Sequence, residues 1–230
     1  MNTLIVLGHP EPKSFNGALR DQAASTLGAL GHSVRVCDLY ASGFDARITR
    51  GDFTAARDPE YFKITREQAN AWKTGGFAPE IAQSIDDLRW AELVILQFPM
   101  WWFGPPAVVK GWIDRVFVPG LTYGRGAWFE TGGMKGKRAM VSVTFDAGAE
   151  AYGPRGRYGE LETVLWPVHL SLRFVGFDVL KPFVASKVGD SDETRKALLA
   201  AYDKRLRGLQ ADTPLAFRSS TDYGEDDVLK

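Results

Sequence analysis

Two stretches of this 230-residue chain carry side chains that could bind and react. The first, GHPEPKSFNGAL (residues 8–19), sets His9, Ser14, Phe15 and Asn16 between an apolar run and a helical pattern. A helix start offers free N–H groups and a partial positive charge, and both attract phosphate. Ser14, Asn16 and His9 can add donors. Ser14 or Asn16 alone reads equally well as a helix cap; with His9 in the same loop, phosphate binding is the better reading. The second stretch, QFPMWWFGPPAVVKGWIDRV (residues 97–116), crowds Phe98, Pro99, Met100, Trp101, Trp102 and Phe103 at a strand–helix junction. Some of these rings suit a core, but a strand–helix loop lies at a sheet's rim. Rings there, facing a phosphate-binding loop, describe a pocket for a flat cofactor that carries phosphate. Neither G-x-G-x-x-G nor the Walker A pattern occurs, so a flavin fits better than a nicotinamide nucleotide alone.

The elements that position these loops alternate. Apolar runs at Thr3–Leu7, Ser33–Leu39, Glu92–Phe98 and Arg138–Phe145 predict four strands, and FDVLKPFVA a fifth whose Pro182 marks an end or an edge. Leu19, Ala23, Leu27 and Leu30 predict the first helix, with Gly31 as its stop. Helices are also predicted at about Ile81–Trp90, through Val109, Trp112, Ile113 and Val116, at about Glu160–Leu170, and from Ser191 or Asp192 through Leu209. Residues 40–65 and 119–137 show no period. Strands separated by helices predict an α/β fold: a five-stranded parallel sheet with helices on both faces and a C-terminal extension, for which 2-1-3-4-5 is one common strand order. That order puts the loops after strands 1 and 3 side by side. Residues 1–215 read as one cofactor-binding catalytic domain and 216–230 as a polar, loosely held tail.

The totals narrow the partners. Twenty-eight basic and 28 acidic residues cancel, which favours neither nucleic acid nor an anionic membrane. The lone Cys37 cannot form an internal disulfide and reads as packing; no metal-ligand spacing is present. No run is long enough for a membrane helix, and the cytoplasm is the expected location. His32, His169, Trp112 and Trp166 read as structural or surface residues.

HPEPKSFNGAL, QFPMWWFGPPAVVKGWIDRVF, TYGRGAWFETGGMKGKRAMVSVTF and LWPVHLSLRFVGFDVLKPF resemble the NAD(P)H:quinone oxidoreductases of the flavodoxin-like fold, FAD enzymes related to mammalian DT-diaphorase. The resemblance runs in order from about residue 3 to residue 215. It implies a homodimer with two interface active sites, and hydride transfer from NADH or NADPH through FAD to a quinone by a ping-pong mechanism. By position, His9, Ser14, Phe15 and Asn16 would hold the FAD diphosphate. Pro99, Met100, Trp101, Trp102 and Phe103 would line the flavin, with Trp102 and Phe103 also facing the substrate. Thr144, Phe145, Asp146 and Ala147 would pass beneath the ring. Tyr152 matches the family's active-site tyrosine. Tyr123, Arg125, Trp128 and Phe174 would complete the substrate wall from the partner subunit.

Three positions depart from the family pattern. Tyr158 stands where a histidine is expected, and a phenol with a pKa of roughly 10 accepts protons poorly at neutral pH. Asp146-Ala147 replaces Gly-Gly; the carboxylate either repels an anionic flavin or points to solvent. Arg125 replaces an aromatic wall residue and favours an acidic quinone or the phosphate of NADPH, unless it faces water. Two other functions fit a flavodoxin-like chain: an ancillary regulatory flavoprotein of a membrane potassium-efflux system, and a one-electron carrier. Such carriers are usually acidic, and this chain has no net charge.

Overall fold

In the computed structural model, which describes residues 1–230, the apolar runs form a parallel sheet. Its strands are β1 (Asn2–Leu7), β2 (Ser33–Asp38), β3 (Leu93–Pro99), β4 (Arg138–Phe145) and β5 (Asp178–Val179), in the order β2-β1-β3-β4-β5. The expected fifth strand is two strands. β5 pairs with β4 at Arg138 and Ala139, and β6 (Phe183–Ser186) pairs with it again at Ser142–Phe145. Pro182 sits in the break, where its missing N–H costs the ladder nothing.

Six helices cover the sheet: α1 (Phe15–Ala29), α2 (Ile64–Thr74), α3 (Pro79–Trp90), α4 (Ala107–Val116), α5 (Leu161–Phe174) and α6 (Asp192–Arg207). β3 is buried at all seven positions, so it shows no alternation. Ile5, Leu93, Ile95 and Met140 meet α1 and α6 on one face. Leu4, Val94, Leu96 and Val141 meet the α3, α4 and α5 side on the other. No helix is long and apolar enough to cross a membrane.

The apolar side of α2 is short, Ile64, Ala71 and Trp72, and two of the helix's three buried residues are polar. Glu67 accepts the N–H groups of Arg57 and Asp58 at 2.7 and 3.0 Å, and Gln68 donates to the Asp114 carbonyl at 2.9 Å. These bonds hold the irregular residues 40–63 to the domain. Arg115 does the same from α4. Its buried guanidinium forks onto Asp52 at 3.0 and 3.1 Å and reaches Glu80 at 2.6 Å and the Asp45 carbonyl at 2.6 Å. The Phe44 ring lies under it, 4.6 Å away. Every charge in this cluster is paired, which is the condition under which a buried ion pair is tolerated.

The polar tail, expected to be loosely held, folds back over α5. The Leu215 N–H joins the Val179 carbonyl at 2.7 Å, and Phe217 lies 5.6 Å from Trp166. Glu130 takes hydrogen bonds from the Ser220 backbone and hydroxyl while pairing with Arg173. Cys37 is half-buried on β2, and burial pushes its thiol up to about 11, which keeps it protonated. His32 touches the Thr3 hydroxyl at 3.3 Å. His169 is buried in α5, Nε2 has no partner, and burial lowers its pKa from 6.5 to about 4.

Arg115→Ala would leave Asp52 buried and unpaired, and the urea unfolding free energy should fall by about 3–5 kcal/mol. His169 binds a proton in the unfolded chain at higher pH than in the folded one. Its contribution is therefore complete above pH 6.5 and disappears as the pH falls toward about 4. The full loss is on the order of 3 kcal/mol. Unfolding curves of His169→Phe at pH 7 and pH 5 should show less acid destabilisation than the parent.

Candidate active site

Leu7 and Gln97 are register partners, so the loops after β1 and β3 emerge together. The Gly8 N–H donates to the Gln97 carbonyl at 2.9 Å, and the rings of His9 and Trp101 lie 6.2 Å apart. Ser14 caps α1, its hydroxyl accepting from Gly17 N–H at 3.2 Å, while His9 Nδ1 accepts from Glu11 N–H at 3.0 Å. Both side chains thus shape the loop. Phosphate-binding capacity comes from the N–H groups of Phe15 and Asn16, which have no preceding turn to bond to. Phe15 packs against the α1–α6 core. A Cβ on Gly17 would stand 2.1 Å from the Pro12 carbonyl oxygen, so the loop can close onto the helix only over a glycine.

Asn16 is buried and points down into the sheet. Its Oδ1 accepts from Gln97 Nε2 at 2.7 Å, and its Nδ2 donates to Thr144 Oγ1 at 2.9 Å. One side chain therefore ties the start of α1 to the ends of β3 and β4. Gln97 is a site residue that sequence reasoning missed; its signal was a lone amide in an otherwise apolar strand.

The aromatic loop is a two-residue hairpin closed by Trp101 and Gly104, bonded at 2.9 and 3.1 Å. Trp102 and Phe103 occupy its tip with φ of +49° and +62°. Left-handed backbone at both tip positions is the type I′ pattern, normally filled by Asn or Gly. Bulky rings there are strained. They are also exposed, Trp102 by 95% and Phe103 by 50%. Pro99 is buried at the end of β3, and the Met100 N–H donates to the Thr144 carbonyl at 2.8 Å. Core packing accounts for Phe98 but not for Trp101, Trp102 and Phe103.

Past β4, the N–H groups of Ala147, Gly148, Ala149 and Glu150 all lack an acceptor within the chain. Phe145 lies 4.6 Å from Tyr152, Tyr152 5.3 Å from Tyr158, and Tyr158 5.5 Å from Phe103. Both tyrosines therefore join the aromatic loop. Burial raises the pKa of Tyr152, and the neighbouring Tyr158 raises it further, so this phenol is a donor at neutral pH. The Asp146 carboxylate is exposed, beside Gly189.

The remaining expected wall residues stand elsewhere. Tyr123 lies 5.6 Å from Phe174, and Phe174 5.3 Å from Phe129. α5 is 14 residues long, about 21 Å, and separates Phe174 from Tyr158. Trp128 and Phe174 line a cavity of about 540 Å³ with Trp166 and Phe217. Arg125 is exposed at the tip of a second tight turn, with φ of +54°. No cluster of His, Cys, Asp and Glu is placed to hold a metal ion.

Residues 1–207 match a family model described as flavodoxin-like fold. The chain is 38% identical over 221 residues to NAD(P)H dehydrogenase (quinone) 1 of Cavia porcellus, covering 95% of this chain and 80% of that protein. It is 38% identical over 226 residues to human ribosyldihydronicotinamide dehydrogenase (quinone), covering 96% and 97%. A crystal structure described as a quinone reductase from Klebsiella pneumoniae superimposes with a TM-score of 0.96 at 37% identity, over 100% of this chain and 94% of that one. A potassium-efflux system ancillary protein from an Enterobacter species matches only 56% of this chain, at 33% identity. With the strand order, the converging loops and these relatives in agreement, the chain belongs to the NAD(P)H:quinone oxidoreductase family of the flavodoxin-like fold.

Proposed function

We propose that this chain is an FAD-dependent NAD(P)H:quinone oxidoreductase that works as a homodimer. One observation carries the reading: the four unpaired N–H donors of Ala147–Glu150 share a rim with the exposed rings of Trp102 and Phe103. Donors in a row suit the polar edge of a flavin, and rings suit its flat face. The residues present therefore fit that cofactor. When bound, the flavin supplies hydride acceptance from NADH or NADPH and hydride donation to a quinone, in two half-reactions that share one slot.

The chain's own residues bind, orient and exclude water. The first turn of α1 would hold the diphosphate, with Ser14 and His9 keeping the loop in shape. Pro99, Met100 and Trp101–Phe103 would wall the ring, and Thr144–Ala147 would run beneath it. Hydride transfer demands stacking geometry and stabilisation of negative charge more than proton transfer. Tyr152 supplies a protonated phenol for that purpose. Tyr158, held between Tyr152 and Phe103, places a second phenol where the family pattern has an imidazole, and its hydroxyl can donate a hydrogen bond there.

Tyr123, Arg125, Trp128 and Phe174 cannot reach this slot in the same subunit, because α5 intervenes. A second copy that presents the Trp128–Phe174 face to the Trp102 rim would complete the wall. That separation supports the homodimer, and Arg125 would then give the wall a cation. A regulatory role beside a potassium-efflux system rests on a relative matched over 56% of the chain, against 95% or more for the quinone dehydrogenases.

Anaerobic titration with NADPH should bleach the flavin band near about 450 nm directly to the two-electron form, and a small quinone should restore it. A chain that binds no flavin, or binds it without reduction, would refute the proposal. Trp102→Ala should lower kcat/KM for quinones by about 2- to 10-fold through lost ring contacts. Its melting temperature should not fall, since Trp102 is exposed and strained.

A further inference from the structure

Three buried polar atoms on the α1–α6 face of the sheet have no hydrogen-bond partner: Gln97 Oε1, Ser142 Oγ and the Tyr202 hydroxyl. Ser142 adjoins both of the others. Gln97 and Ser142 are register partners on β3 and β4, strands about 4.8 Å apart. Tyr202 descends from α6 and is fully buried, with its ring 4.4 Å from Phe183. The Ser142 side chain acts on the phenol as a hydrogen-bonding neighbour, which offsets part of the rise that burial gives the Tyr202 pKa, but the two hydroxyls do not meet hydrogen-bond geometry. Strand alternation puts Gln97, Ser142 and Thr144 on the same face as Ile95 and Met140, inside an apolar cluster. Unpaired polar atoms in such a place carry the full cost of desolvation. A water with two to four polar partners is the usual solution.

The other side of Gln97 is already engaged. Its Nε2 donates to Asn16, which donates in turn to Thr144. We propose that Gln97, Ser142 and Tyr202 enclose one buried water, which completes a hydrogen-bond chain from α6 to Asn16 and Thr144 beneath the cofactor loops. The donor count is sufficient. The water and the two hydroxyls bring four hydrogens between them, and Gln97 Oε1 accepts. Tyr202 is then a positioning residue: it touches no ligand, but it fixes the Gln97 carboxamide that orients Asn16. The proposal goes beyond the flavin reading, and its structural part holds with or without a bound cofactor.

A crystal structure of the full chain, at a resolution that shows ordered water, should reveal a peak within hydrogen-bond distance of all three atoms. A dry gap, or a direct Tyr202–Ser142 bond, would overturn the proposal. Thermal unfolding gives an independent reading. Tyr202→Phe keeps the ring against Phe183 and removes only the hydroxyl. If that hydroxyl is truly unpaired, its removal should raise the melting temperature. If it holds the water, the melting temperature should fall by about 2–4 °C, and the effect should shrink in a Gln97→Met background. A rise, or strict additivity, counts against the water. For the positioning role, Tyr202→Phe should raise the FAD dissociation constant by about three- to tenfold in a fluorescence titration. An unchanged constant would reduce Tyr202 to a structural residue. Failure of the parent chain to bind FAD would sink the functional reading instead, leaving the crystallographic and unfolding results to decide on the water.

Discussion

Gln97 Nε2 donates to Asn16 Oδ1 at 2.7 Å, between side chains 81 positions apart in sequence. Both side chains are buried, so neither carboxamide can reach bulk solvent for a replacement. That leaves one arrangement in which both are paired, with the start of α1 drawn onto the ends of β3 and β4. The loop after β1, the aromatic loop and the donor run past β4 all take their positions from this junction. A parallel sheet requires its strands to end at a common rim, but it does not set how closely the loops approach. The buried amide pair does.

A rigid junction lets the next segment carry strain. Trp102 and Phe103 sit in left-handed backbone, where an L side chain costs on the order of 1–2 kcal/mol each. In a loosely held loop such a turn would relax and fold its rings into the core. Here Trp101 and Gly104 close the hairpin, and Met100 is bonded to β4 immediately before it. The rings are held outward, where a ligand or a second subunit can meet them. Arg115 does comparable work on the opposite face, gathering Asp45, Asp52 and Glu80 so that the long irregular segment before α2 cannot drift from α4.

The single chain also divides its aromatic residues. One set runs from Phe145 through Tyr152 and Tyr158 to Phe103 at the carboxyl rim. The other gathers Tyr123, Phe129 and Phe174 at the far end of α5, next to the cavity under the C-terminal tail. A helix of about 21 Å keeps the two sets apart within one subunit. An active site that needs both would have to be assembled between subunits, and substrate access would then depend on how the subunits face each other.

The strands and the two odd loops were legible in the sequence because burial writes itself locally. β1, β3 and β4 lie between two helical layers and read as unbroken apolar runs, and their alternation with helices marked a parallel sheet, though not the order of its strands. Given the order 2-1-3-4-5, the loops of His9, Ser14 and Trp101–Phe103 fall side by side. α2 was missed because its apolar side is short, Ile64, Ala71 and Trp72, and polar Glu67 and Gln68 face in to bond distant backbone. The break at Pro182 was visible as an edge but not as two strands, since β5 and β6 each owe their existence to β4. Gln97 as the partner of Asn16, the left-handed rings of Trp102 and Phe103, the N–H groups left free past Phe145, and the division of Tyr152 from Phe174 were decided by tertiary structure alone. Each depends on what lies across the sheet or along a helix, tens of residues away in sequence, and such contacts leave no trace in local composition or spacing.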